Sequence, residues 1–230
     1  MTEILDGILK ALELIFSGDP RVFDITMRSL YVSGMAALIA ILWGIPIAMF
    51  LGLKSFRGKL IIKGIFSTLI GVPTVILGLI LYLVFSKGGP LGLLSLLYTP
   101  TGIIIGQALL VTPMVVSFAT TAIEAVDPEI MSLAKTLGAS ESQAFMAVLK
   151  EALSGVFLAG IASFNRAIAE LGVATLVGGG IVGWTEVITT GISLETARGN
   201  IEIAIALGII LLTLVFGINL AVNFFQRIRK

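Results

Sequence analysis

The sequence predicts an all-α membrane protein: about five transmembrane helices preceded by an amphipathic N-terminal helix. Three observations carry this. Of the 230 residues, 57% are hydrophobic and 13% charged, with a mean hydropathy of +1.08; soluble domains carry about 25% charge. A chain this short cannot hide so much apolar surface in one water-facing globule, and lipid is the solvent that resolves the excess. The apolar residues gather in separate runs, each near the ~20 residues that cross a bilayer. Lysine and arginine concentrate in particular connections between those runs.

The N-terminal segment, residues 1–28, opens with Ile4, Leu5, Ile8, Leu9, Leu12, Ile15 and Phe16 at helical spacing, with Glu3, Asp6, Lys10 and Glu13 between them. This pattern predicts an amphipathic helix at the membrane interface or against the bundle. It lacks the basic start, continuous apolar core and small-residue cleavage site of a signal peptide. Residues 29–230 then form one transmembrane domain. Its runs are Ser29–Leu53, with Gly44 and Pro46; Gly64–Phe85, with Pro73 near its middle; Thr101–Ile123; Leu153–Val177, interrupted by Arg166 and Glu170; and Ile203–Phe225. Interior prolines are tolerated in a membrane bundle because neighbouring helices re-satisfy the freed carbonyls. Gly102 and Gly106 make a small-xxx-small face suited to close packing, or are simply frequent membrane-helix residues.

Orientation follows from the basic residues. Lys54, Arg57, Lys59 and Lys63 follow the first run, and Arg227, Arg229 and Lys230 end the chain. With five spans both groups fall on one side, which is then cytoplasmic. The N-terminus is outside, and the protein is a multi-pass cell-membrane (inner or plasma membrane) protein.

The connection 124–152 is too long for a simple turn. Asp127-Pro128 reads as a helix start with proline at the first helical position. Gly138 reads as a left-handed terminator. Ser140, with Gln143 three residues on, reads as a capping box. Two short helices meeting at Gly138 result, and their apolar faces either dock a partner or pack under their own bundle.

Ala134, Lys135, Thr136, Leu137, Gly138, Ala139 and Ser140, followed by Phe145, resemble the coupling motif of ABC-type importer permeases. Where that family has a leading glutamate this chain has Ser132, and where it has a late Leu-Pro this chain has Lys150-Glu151. The runs Ser86–Gly92, Thr99–Thr101, Asn165–Gly172, Val177–Ile181, Thr189–Thr190 and Leu194–Thr196 resemble the tungstate permeases within that family; the related molybdate and sulfate permeases share the Arg-Ala-x-x-Glu-x-Gly core at Arg166–Gly172. The resemblance implies a type I importer fold and a homodimer with the path at its two-fold axis. It further implies an ATPase subunit seated on residues 134–140 and Phe145, an extracytoplasmic oxyanion-binding protein, and alternating access.

Arg166 and Glu170 lie four residues apart and therefore share a helix face. Ionisable residues at this depth face protein or water. They form either an internal ion pair, the favoured reading, or, with Asn165, part of an anion path; Ser163, Thr175 and the glycines Gly178–Gly180 would add donors. Several classes are disfavoured; the alternatives to a tungstate permease are a molybdate or sulfate permease of the same class and, behind these, a secondary transporter or channel. Histidine and cysteine are absent and the formal net charge is +1, which leaves no disulfide, removes the commonest metal ligand and argues against a basic face for nucleic acid; no metal or cofactor is expected. No span contains aspartate or histidine for intramembrane catalysis. Gly178–Gly183 matches G-x-G-x-x-G but follows no strand of a parallel α/β unit. A phosphate-binding G-x-x-x-x-G-K-[ST] loop is also absent, so ATP hydrolysis belongs to a separate subunit. A channel needs no two-helix loop, and a secondary transporter would show inverted repeats and more intramembrane acids.

Overall fold

The computed structural model describes residues 2–228, and side chains from Gly7 to Val222 together with Phe224. Arg229 and Lys230 of the basic C-terminus lie outside the described residues, as do the side chains of Glu3, Ile4, Leu5, Asp6 and Arg227. Among the described residues there are eleven α-helices, one 3₁₀ turn at Gly92–Leu94 and no strand.

Helix α1 (Thr2–Phe16) lies against the last helix, α11 (Ile201–Ile228). Ala11 is buried there with Ala206 and Leu207, and Leu14 and Ile15 pack beside it. The amphipathic stripe thus meets the bundle, while Leu9 and Phe16 remain exposed.

Helix α2 runs Pro20–Leu53, 34 residues, well before the expected start near Ser29. The Asp19 carboxylate accepts from the backbone N–H groups of Arg21 and Val22, each at 3.0 Å, and Pro20 occupies the first turn. That cap makes residues 20–28 continuous with the first span. Helix α5 (Pro100–Glu124) runs parallel to α2, with Ser33 beside Gln107 and Gly52 beside Ile123. A ladder of small residues at four-residue spacing, Ala36, Ala40, Gly44, Ala48 and Gly52, permits the approach. A Cβ on Gly44 would stand 2.9 Å from Val115, and one on Gly52 2.7 Å from Ile123. Side chains larger than alanine here would push the helices apart.

Two of the anticipated spans are broken. The run Gly64–Phe85 is not one helix but α3 (Lys59–Leu69) and α4 (Thr74–Phe85), bent by 96°. Gly71 weakens the helix, and Val72, preceding Pro73, is driven out of helical conformation. The run Leu153–Val177 divides into α8 (Leu153–Ile168) and α9 (Gly172–Gly178), after α6 (Pro128–Thr136) and α7 (Glu141–Glu151). Helices α7 and α8 meet at 67°. Three helices, α2, α5 and α11, are long and apolar enough to cross a membrane; each bent pair, counted as one span, raises the number to five.

Helix α4 packs on α9 through glycines: a Cβ on Gly78 would stand 3.0 Å from the Gly172 carbonyl, and one on Gly172 2.6 Å from Thr74 Oγ1. Gly102 and Gly106 also face close neighbours, the Leu96 carbonyl and Val173. Their small faces serve packing within the chain. Helix α10 (Ile188–Arg198) closes the end where α2 begins, its first turn held by Ile188 N–H donating to Ser29 Oγ at 2.7 Å.

Candidate functional site

The 124–152 connection is built from local signals. Asp127 accepts from Glu129 N–H at 2.9 Å and Pro128 opens α6. The helix ends with Gly138 N–H donating to the Lys135 carbonyl and Ala139 N–H to that of Ala134, each at 3.0 Å. These two bonds with Gly138 at φ +85° are a Schellman terminus. Ser140 Oγ accepts from Gln143 N–H at 3.3 Å, while Gln143 Oε1 accepts from Ser140 N–H at 2.8 Å, so the capping box is complete.

Both faces of this element are used. Ala144 and Val148 of α7 are buried with Ala48, Ala119 and Ile123 of the bundle. Lys54 Nζ, at the end of α2, lies 5.8 Å from the Phe145 ring centroid and 3.9 Å from the Glu141 carboxylate. Helix α6 buries no residue. Leu133 and Leu137 project from it, Leu137 with 78% of its surface exposed; Lys135, Thr136, Gly138 and Ser140 are exposed too, while Ala134, Ala139 and Phe145 are half-buried. The loop therefore packs beneath its own bundle through α7 and offers an apolar edge through α6.

The second candidate lies where α8 ends. Arg166 Nη1 donates to Glu170 Oε2 at 2.8 Å, although Glu170 falls just beyond the helix. Glu170, 1% exposed, is occupied on both oxygens: Oε1 accepts from Val173 N–H at 3.1 Å in the first turn of α9. Its backbone carbonyl accepts from Thr189 Oγ1 at 2.6 Å. Glu170 thus ties α8 and α9 together through its carboxylate, and α10 to them through its backbone carbonyl. Asn165 points elsewhere, donating to Asn219 Oδ1 of α11 at 3.1 Å. Ser163 donates to the Ala159 carbonyl, and Gly178 is buried with Ile103 across from it. Gly179, Gly180 and Gly183 all have positive φ in the irregular bend after α9. There Tyr98 N–H donates to the Val177 carbonyl at 2.8 Å and Trp184 Nε1 to the Tyr98 carbonyl at 3.1 Å.

A third cluster escaped sequence reasoning. Glu186 and Glu195 are buried at the end opposite the loop. Glu195 accepts from Arg21, from Arg198 at 2.9 Å and from Asn200 at 2.7 Å. Glu186 Oε1 lies 3.6 Å from Arg21 Nη2, at ion-pair range but beyond a hydrogen bond. Burial pushes the Glu186 carboxyl above its ordinary value, against the pull of Arg21. Burial would raise Glu195 too, but its bonds from Asn200, Arg21 and Arg198 outweigh this and hold it low. The available signal was two glutamates in an otherwise uncharged stretch, with complementary arginines at the start of α2.

Residues 44–230 match the family described as binding-protein-dependent transport system inner membrane component. The chain belongs to this family. As a membrane component of this kind it is 39% identical over 226 residues to the tungstate uptake system permease protein of Peptoclostridium acidaminophilum, covering 98% of this chain and 99% of that one. It is 40% identical over 201 residues to a probable anion ABC transporter permease protein of Haloferax volcanii, covering 85% and 87%. A molybdate/tungstate transport system permease protein of Pyrococcus abyssi is 31% identical over 69% of this chain and 62% of its own length. Among solved structures, an amino acid ABC transporter chain superposes with a TM-score of 0.68 at 18% identity, covering 93% of this chain and 96% of that one; it supports the fold. The multi-pass helical membrane architecture and the ABC permease family agree with the reading of the sequence.

Proposed function

We propose that the chain is the transmembrane subunit of an ATP-driven tungstate importer. Two copies enclose a path at their two-fold axis, and the lysine-rich end faces the cytoplasm with the N-terminus outside. A separate ATPase docks on residues 134–140 and Phe145, and an extracytoplasmic binding protein delivers the oxyanion at the Arg21–Glu195 end. The observation that carries the reading is the two-helix loop with its exposed Leu133 and Leu137, on a chain nearly full-length similar to a tungstate permease. ATP closes the ATPase dimer, and α6 and α7 carry that movement to α2 and α8. The Arg166–Glu170 pair acts as a structural joint in this reading, supported by a hydrogen bond accepted within the chain on each Glu170 oxygen. The experiment is uptake into vesicles holding the complex, its ATPase and its binding protein. ATP-dependent tungstate uptake, weakly inhibited by molybdate and sulfate, is expected. Equal inhibition by molybdate or sulfate would shift the cargo to the related permeases, and uptake without ATPase would overturn the reading.

A further inference from the structure

A cleft of about 250 Å³ opens between α3 and α5, at the level where both approach the lysine-rich end. Its lining is largely apolar, with Leu51 of α2, Phe66 of α3 and Val116 of α5, and includes the polar Lys63, Ser67, Ser117 and Thr120. Hydroxyls on membrane helices ordinarily satisfy themselves by donating to the carbonyl four residues back. Thr112, Thr121 and Ser163 do so, at 2.7, 3.0 and 2.8 Å. Ser117 and Thr120 do not: both oxygens are buried without a hydrogen-bond partner among the described residues, and Thr120 is 1% exposed. An unpaired buried hydroxyl is costly. Two of them on one cleft point to a ligand that accepts hydrogen bonds.

The charge around the cleft gives the ligand's sign. Lys63 lies 2.6 Å and Lys59 3.0 Å from the one carboxylate of Glu124. Two ammoniums against one carboxylate leave a net positive charge at the mouth. Nearby, Lys54 is balanced by Glu141. Hydroxyl donors with an excess ammonium fit a compact tetrahedral oxyanion.

We propose that this cleft is an oxyanion site in which Ser117, Thr120 and Ser67 donate hydroxyls and Lys63 supplies charge. The same chemistry is offered by a free ion, which would rest on the oxyanion-import reading, and by a phospholipid phosphate.

The test uses the permease–ATPase complex in nanodiscs, without binding protein. Bound tungsten per permease is measured by equilibrium dialysis against sodium tungstate, and tightly held phospholipid by mass spectrometry. The variants are the near-isosteric pair Ser117→Ala/Thr120→Val, and Lys63→Gln on the protein surface. Thr213→Val, whose hydroxyl donates to Ile209, is the control. A fall of about tenfold in tungsten affinity in both test variants, with the control unchanged, supports a free-ion site. No tungsten bound by the parent, but a retained phospholipid lost in both variants, supports the same site filled by a headgroup. Tungsten and lipid contents matching the parent in both variants overturn the proposal. ATP-driven tungstate uptake by the parent is measured in parallel. Its absence overturns the import reading alone, since the lipid arm still reads the cleft.

Discussion

Gly138 separates α6 from α7 at φ +85°, and a Cβ there would meet nothing within 4 Å. The cost of a side chain is therefore conformational: about 1–2 kcal/mol for a β-branched residue in the left-handed region. Gly138→Val should weaken ATPase binding or uncouple hydrolysis from uptake, while Gly138→Asn, which tolerates that region, should be milder; a pull-down with the ATPase reads both. The Arg166–Glu170 pair is asymmetric, since Glu170 is enclosed and the Arg166 side chain is 37% exposed. Arg166→Gln strands a buried carboxylate, costing about 3 kcal/mol or somewhat less given the arginine's partial exposure. Glu170→Gln keeps an acceptor for Val173 N–H and should assemble nearly normally. The double variant should then recover the complex yield that Arg166→Gln loses. If Arg166→Gln assembles fully but does not transport, the pair serves the path instead. The two buried glutamates at the end opposite the loop have opposite pH signatures around their ordinary value of 4.5. Glu195, held low, stabilises the fold above that value and loses its contribution as pH falls through its lowered value. Glu186, held high, favours the fold while protonated, and that contribution fades as pH rises through its raised value. Glu186→Gln should therefore flatten the decline in thermal stability as pH rises above 4.5, read as melting temperature against pH.

At the scale of elements, the crossing of α4 and α9 is set by two facing glycines. Gly172→Ala would drive a methyl within 3 Å of Thr74 Oγ1 and Val75 N, and should cost about 1–3 kcal/mol in detergent stability. Gly64→Ala, with nothing within 4 Å, is the matched control and should be neutral or slightly stabilising. Elements whose ends are fixed by adjacent residues were legible in the sequence: the caps at Asp127, Gly138 and Ser140 sit where their chemistry places them. The small ladder from Ala36 to Gly52 was equally visible, yet its partner was not, because spacing gives a face and never its neighbour. Pro73 was noticed inside an apolar run, but hydropathy cannot distinguish a kinked span from two helices at a right angle. Glu170 was paired correctly with Arg166, while its second bond to Val173 depended on a helix break that periodicity conceals. Glu186 and Glu195 were missed for a related reason: their arginine partner at the start of α2 is more than 160 residues away in sequence.

Across the whole molecule, the distribution of basic side chains sets the expected orientation. The chain has no cysteine, so single thiols report without background. Ser140→Cys should react with an impermeant maleimide only when the cytoplasmic side is opened; labelling from outside in intact cells would reverse the topology. The α2 helix spans both ends of the molecule, with Arg21 in the buried-glutamate cluster and Lys54 beside Phe145 and Glu141. At 1.5 Å per residue its 34 residues reach about 51 Å, well beyond a hydrocarbon layer of about 30 Å. Pro46 has no N–H to donate to the carbonyl of Leu42, so the helix lacks one ladder bond there while staying continuous. The arms on either side of it are unequal, about 39 Å toward Arg21 and about 11 Å toward the loop. If the unbroken helix tilts rigidly about that point, an ångström of travel beside Phe145 becomes about four at the far end. Pro46→Ala, which restores the missing bond, tests whether such a tilt depends on the proline: unchanged uptake would mean that it does not.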